Sequence, residues 1–163
     1  MKRILALTLL LAVLLTLFTG CGGPSADEVA LEGAKAATEN RTADMKQYTH
    51  PEVWRATDGF AEADDEYRHI TEINVEVAGE FDDVHLKAFQ ALMDDSYGIE
   101  VDDVKLYGCE ATYTIGGSSR KDDTKYTFCV YRSGGRWYYG GYEWSDFLFY
   151  GAKYLPDDLL VYD

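Results

Sequence analysis

The chain has 163 residues and carries 29 acidic residues against 15 basic ones, a net charge of −14 with an isoelectric point near 4.5. That length suits one domain. Such a charge is repelled by phosphate backbones and anionic headgroups, which argues against nucleic-acid binding.

In chain order, the first segment reads as an address. Met1, Lys2 and Arg3 make a basic start, and residues 4–18 are apolar apart from Thr8 and Thr16. A membrane-spanning helix needs roughly 20 apolar residues. This shorter run ends in small residues and is expected to be a secretory signal over residues 1–20. Cys21 follows it directly, and residues 21–25 form a short tether. Ser25 and Glu28 then make an S-x-x-E capping box opening a helix through "DEVALEGAKAATE". A second short helix is expected from Thr42 to Tyr48, and Pro51 starts a further turn that presents Trp54. "EADDEYRHI" is read as extending the helical region.

"ITEINVEV" (70–77) alternates, with Ile73, Val75 and Val77 on one face and Glu72, Asn74 and Glu76 on the other, as in a half-buried strand. Asp82 or Asp83 caps a helix in which Leu86, Phe89, Leu92 and Met93 recur at helical spacing. Asp-Asp pairs, here and at 64–65, 94–95, 102–103, 122–123 and 157–158, are read mostly as caps and turns flanking the periodic segments. Beyond Gly98 the pattern stays strand-like. "VKLYGCEATYTI" and "TKYTFCVYR" flank the loop "GGSSRKDD", and Gly134 with Gly135 marks a two-residue turn before "RWYY". The order implies an α+β domain over residues 26–144, its N-terminal helices packed on a curved antiparallel sheet, followed by an extension at 145–163.

Two further cysteines, Cys109 and Cys129, lie in the first predicted hairpin. A loop centred near Ser119 opposes residues whose numbers sum to 238, which sets Cys109 against Cys129. Directly opposed residues lie roughly 4.5–5.5 Å apart at Cα, within disulfide reach. An even number in an exported chain favours a bridge, worth roughly 3 kcal/mol for a loop of about twenty residues. The other reading is two buried thiols side by side. No histidine stands close enough in sequence to complete a zinc site, and no metal or cofactor is expected.

His50, His69 and His85 fall in three different segments, away from any triad or ligand spacing. The aromatic signal is denser: residues 126–150 hold eleven of the 23 aromatics. Trp137, Tyr138, Tyr139, Tyr142 and Trp144 are the candidate binding face, of the Tyr/Trp kind that recognises a protein or glycan. The competing reading is ordinary core.

"LFTGC" resembles the lipobox of bacterial lipoproteins: Thr19, Gly20 and Cys21 fit it, and Phe18 stands where leucine is usual. The resemblance implies cleavage before Cys21 and a diacylglycerol on its thiol, with fatty acyl chains such as palmitate. The protein would then be held on the extracytoplasmic side of the cell membrane, and two acyl chains suffice for stable anchoring. Removal of residues 1–20 leaves 13 basic against 29 acidic residues, a charge of −16. "ADMKQYTHPEVW", "YGIEVDDVKLYG" and "SGGRWYYGG" resemble the corresponding parts of NTF2-like (cystatin-like) lipoproteins. That family uses one fold in isomerases, dehydratases, ligand-binding subunits and inert partners, so the resemblance implies a shape more than a reaction. The expected function is a non-catalytic binding or accessory module of the cell envelope. The alternative is a small envelope enzyme of the NTF2-like type using a carboxylate/tyrosine pair in the cone cavity; Tyr107, Tyr113 and Tyr131 are expected on one sheet face with Glu110 on the opposite one, and no spacing singles out a pair.

Overall fold

Helix α1 (Ala26–Thr38) starts where its capping residues place it. Glu28 donates its backbone N–H to Ser25 Oγ at 3.2 Å, and Ser25 N–H donates to Glu28 Oε2 at 2.7 Å. The helix stops in a Schellman turn. Arg41 N–H donates to Ala36 O at 2.8 Å and Asn40 N–H to Ala37 O at 3.2 Å, with Asn40 at φ 55°. A computed structural model of the chain describes residues 23–57 and 68–140. Helix α2 (Thr42–Tyr48) follows, then α3 (Pro51–Ala56), whose proline occupies the first turn where no N–H is needed.

The four strands are β1 (Arg68–Glu80), β2 (Asp103–Ile115), β3 (Lys121–Ser133) and β4 (Arg136–Tyr139), with α4 (Asp83–Tyr97) between β1 and β2. They form one open antiparallel sheet in the order β1-β2-β3-β4. Irregularities at Ile70/Glu72 and Val77/Gly79 interrupt the β1–β2 ladder, and such bulges bend a strand and increase its twist. The meander needs two tight turns, and glycine supplies both. Gly116 and Gly117 have φ 57° and 74°, Gly134 and Gly135 have 56° and 78°, all in the region that L side chains avoid.

The expected first helix and the second at 42–48 are present, as are the helix after Asp82 and the three-strand meander, and the turn expected at Pro51 is a short helix, Pro51–Ala56. The helical reading of "EADDEYRHI" fails where it can be compared: Arg68, His69 and Ile70 are strand, paired with Ile115, Thr114 and Tyr113. The Asp pair at 94–95 lies inside α4 and that at 122–123 inside β3, so neither is a cap or a turn.

On one face of the sheet α1 crosses all four strands. Val29, Ala30, Ala34 and Ala37 meet Tyr107, Cys109, Ala111, Phe128, Val130 and Tyr139, with Ile73 and Val75 half-buried at the edge. Alanine and glycine let the helix lie close. A Cβ on Gly33 would sit 2.4 Å from Tyr139 Cδ2, so glycine is required in the middle of a helix it otherwise weakens. The other face has two parts. Near the α4 end, Phe89 and Met93 of α4, Val53 of α3, Ile99 and Val101 cover Val104, Cys129 and Tyr131. Further along, Glu72, Asn74, Glu76, Glu110, Asp123 and Lys125 are exposed. Val77 departs from its expected half-burial and is 55% exposed, beside a bulge on an edge strand.

Candidate functional site

The register of the first hairpin decides the cysteines. Ser118 N–H donates to Ile115 O at 2.9 Å, closing the turn on Gly116 and Gly117. Thr114 opposes Lys121, so opposed residues sum to 235. Cys109 therefore faces Tyr126, and Cys129 faces Leu106. The expected Cys109–Cys129 disulfide is overturned: both thiols are free. A shift of three positions is odd, and an odd shift sends a side chain to the opposite face. Cys109 lies under α1 and Cys129 under α4. Nor are they the neighbouring thiols of the alternative reading.

Each thiol is embedded in core. Burial pushes the Cys129 thiol up to about 12 and also raises Cys109, where hydrogen bonds with Tyr126 and Thr38 oppose the shift. The Tyr126 hydroxyl donates to Ala34 O at 3.3 Å and lies 3.3 Å from Thr38 Oγ1, which ties α1 to β3. Such protonated, enclosed thiols are poor nucleophiles.

Alternation divides the aromatic band in the same way. Tyr139 is buried against Phe128, ring centroids 4.8 Å apart, on the α1 face. Tyr138 points to the other face, edge-on to His50 at 4.7 Å and 5.8 Å from Tyr131. Trp137 is half-buried at the margin of the α1 core. Trp137 and Tyr139 thus lie on one face and Tyr138 on the other, the division that strand alternation requires. Tyr142, Trp144, the lipobox at Cys21 and the extension at 145–163 lie outside the described residues.

The carboxylate–tyrosine alternative meets a similar division. Tyr107, Tyr113 and Tyr131 do not share a face, because Tyr131 packs with Phe89 under α4. Glu110 is exposed and ion-paired with Lys125. The tyrosine that does meet a carboxylate is Tyr107, whose hydroxyl donates to Asp27 Oδ1 at 2.6 Å. Burial, reinforced by that acceptor, raises the Tyr107 pKa far above its ordinary value, so the phenol keeps its proton and acts as a fastening between sheet and α1. The sequence reading missed this bond, since 80 residues separate the partners. The Tyr131 hydroxyl is buried without a hydrogen-bond partner among the described residues.

The three histidines stay apart. His50 caps α3, its Nδ1 accepting from Glu52 N–H at 3.2 Å, and burial lowers its pKa, assisted by Arg136 and opposed by Glu52. His69 is exposed near Glu39, and His85 falls in the first turn of α4. Glu39 is mostly buried and binds the N–H of Ile70 at 3.1 Å and Arg41 Nε at 2.8 Å, joining the end of α1 to the start of β1.

Two surface features remain. The open half of the second face carries a shallow groove of about 680 Å³, lined by Glu72, Asn74, Glu110, Thr112, Asp123 and Lys125 among others. Around the start of β4, Lys105 Nζ and Arg132 Cζ each lie 5.6 Å from the Trp137 ring centroid, and Arg136 Cζ lies 5.4 Å from that of Tyr138. Among the described residues, no three histidine, cysteine or acidic side chains gather as metal ligands, and no helix is long and apolar enough to cross a membrane.

The class of protein these features define is an α+β fold with helices on an open, curved antiparallel sheet. The chain matches no protein-family model, no curated protein and no solved structure.

Proposed function

We propose that the protein is a bacterial lipoprotein, anchored through diacylglycerol on Cys21 to the outer side of the cell membrane, with an NTF2-like domain that serves as a non-catalytic binding or accessory module. The anchor rests on the order of a basic start, a short apolar run and "LFTGC". The module rests chiefly on one observation: the space between α1 and the sheet is filled by side chains, with Gly33 directly against the Tyr139 ring. An enzyme of this architecture needs a cavity there to hold substrate beside a buried acid or base. The polar groove beside Asn74 and Thr112 is the surface this reading gives to a ligand, with side chains suited to hydrogen bonding a glycan or a polar segment of protein.

The test is expression of the wild type and Cys21→Ala in a bacterial host fed a fatty-acid probe. The wild type should take up label and sediment with membranes, while Cys21→Ala should lose label and remain unprocessed or leave the membrane. Normal processing and membrane association of Cys21→Ala would reject the anchor. For the module, a photo-crosslinking residue at Thr112 should capture a discrete envelope partner that the same residue at Ser119 does not; equal capture from both positions would reject the groove as the site.

A further inference from the structure

We infer that the cluster Lys105, Arg132, Arg136 and Trp137 is a membrane-contact surface that docks the domain onto anionic phospholipid headgroups. This inference rests on the lipid-anchor reading, and its observations are separate from it. The chain carries a large acidic excess, yet three cations meet at the β4 edge, Lys105 and Arg132 around Trp137 on the α1 face and Arg136 beside Tyr138 on the other. Lys35, Arg41, Arg55, Arg120 and Lys125 hold carboxylates, while Lys105, Arg132 and Arg136, like Lys46, Arg68, Lys87 and Lys121, hold none among the described residues.

Asp103 accepts from Val104 N–H at 2.9 Å, and Asp27 accepts from the Tyr107 hydroxyl. Glu80 faces Lys105 across the β1–β2 ladder without forming an ion pair. Among the described residues, no ion pair competes with an external anion for these cations. Trp137 lies between two of them and is half-buried, an amphipathic ring of the kind enriched at the membrane–water boundary.

Position selects the occupant. The described chain begins at Gly23, and a Cβ built there lies 3.9 Å from Arg136 Cγ. Cys21 is two residues earlier, at most about 7 Å of extended chain. A bilayer holding lipid on Cys21 is therefore kept within roughly 11 Å of the Arg136 stem, little more than one Debye length at physiological salt. Arg136 also donates to Gln47 O at 3.0 Å, which fixes its stem against α2 beside the tether. Elsewhere the acidic surface is repelled by the same membrane, so attraction at one end and repulsion over the rest orient the domain. The open groove beside Glu110 lies toward the opposite end of the strands and then faces away from the bilayer.

The experiment reconstitutes the full processed protein, extracted from membranes, into vesicles of phosphatidylcholine alone or with phosphatidylglycerol. Trp54 and Trp144 are replaced by phenylalanine, and quenching of Trp137 by brominated lipids is read. Docking predicts stronger quenching in the anionic vesicles, lost at high salt, and about fivefold weaker association for each cation removed. Lys105→Gln/Arg136→Gln should lose quenching, while Arg120→Gln/Lys121→Gln at the distant β2–β3 turn should retain it. Equal quenching in neutral and anionic vesicles, or none in either, overturns the proposal. The wild-type lipid and salt dependence answers this without relying on any charge variant's fold. Fatty-acid labelling of Cys21 is scored on the same preparation. Label without quenching rejects docking and keeps the anchor; anion-dependent quenching without label rejects the anchor and keeps the headgroup site.

Discussion

The two faces of the sheet use the same strands but differ in cover. On the first, one helix poor in large side chains spans every strand, and the contact is close enough that Gly33 admits no methyl group. On the second, a helix with large apolar side chains, Phe89 and Met93 foremost, covers one end only and leaves a polar half open. The first face is sensitive to added volume and the second to lost volume. An alternating strand can serve both because neighbouring residues report to different cores; Cys109 and Cys129, or Tyr138 and Tyr139, show it directly.

The largest effect should come from Phe89→Ala. Phe89 is fully buried against Tyr131 and near Phe81, and its loss should cost roughly 3–5 kcal/mol in denaturant unfolding. A cost below about 1 kcal/mol would mean that α4 is only loosely seated on the second face. Gly33→Ala tests the other face in the opposite sense. Helix propensity alone favours alanine by about 1 kcal/mol, but overpacking against Tyr139, roughly 1–3 kcal/mol, should outweigh it and leave a net loss of up to about 2 kcal/mol. Stabilisation instead would show that α1 stands further from the sheet.

A smaller effect is expected from His50. Its pKa is lowered on folding, so the unfolded chain binds the proton more tightly, and the neutral ring is also what caps α3. The stability it contributes is complete above its ordinary value of about 6.5. It falls as pH drops through that value toward the lowered folded one. Unfolding midpoints at pH 7.5 and 5 should therefore differ more for the wild type than for His50→Asn, which keeps a capping oxygen without titrating. An unchanged difference would remove His50 from the account. Smallest of all should be Lys125→Ala on the open half, where the ion pair with Glu110 is solvent-exposed and screened. Its melting midpoint should match the wild type, and a loss comparable to that of Gly33→Ala would show that the open half is part of the core's support.

What could be read from the sequence was local. Ser25 and Glu28 announced α1, Pro51 announced α3, and Gly134 with Gly135 announced the last hairpin, because each signal acts within four residues. The fold class followed from the order of those elements. The register of β2 on β3 did not. Lys121, Asp122 and Asp123 have little strand propensity alone and read as loop, but pairing with Thr114, Tyr113 and Thr112 draws them into β3. That moved the turn and separated the cysteines. The Tyr107–Asp27 bond and the cations around Trp137 were hidden for a related reason: they join residues far apart in sequence that only the sheet and α1 bring together.

The central claim, an anchored domain held at Cys21, is met most directly by the intact mass of the protein extracted from membranes with detergent. The account predicts a chain beginning at Cys21 with a diacylglycerol on that residue. A chain still carrying Met1, or one cut elsewhere with Cys21 unmodified, would contradict it.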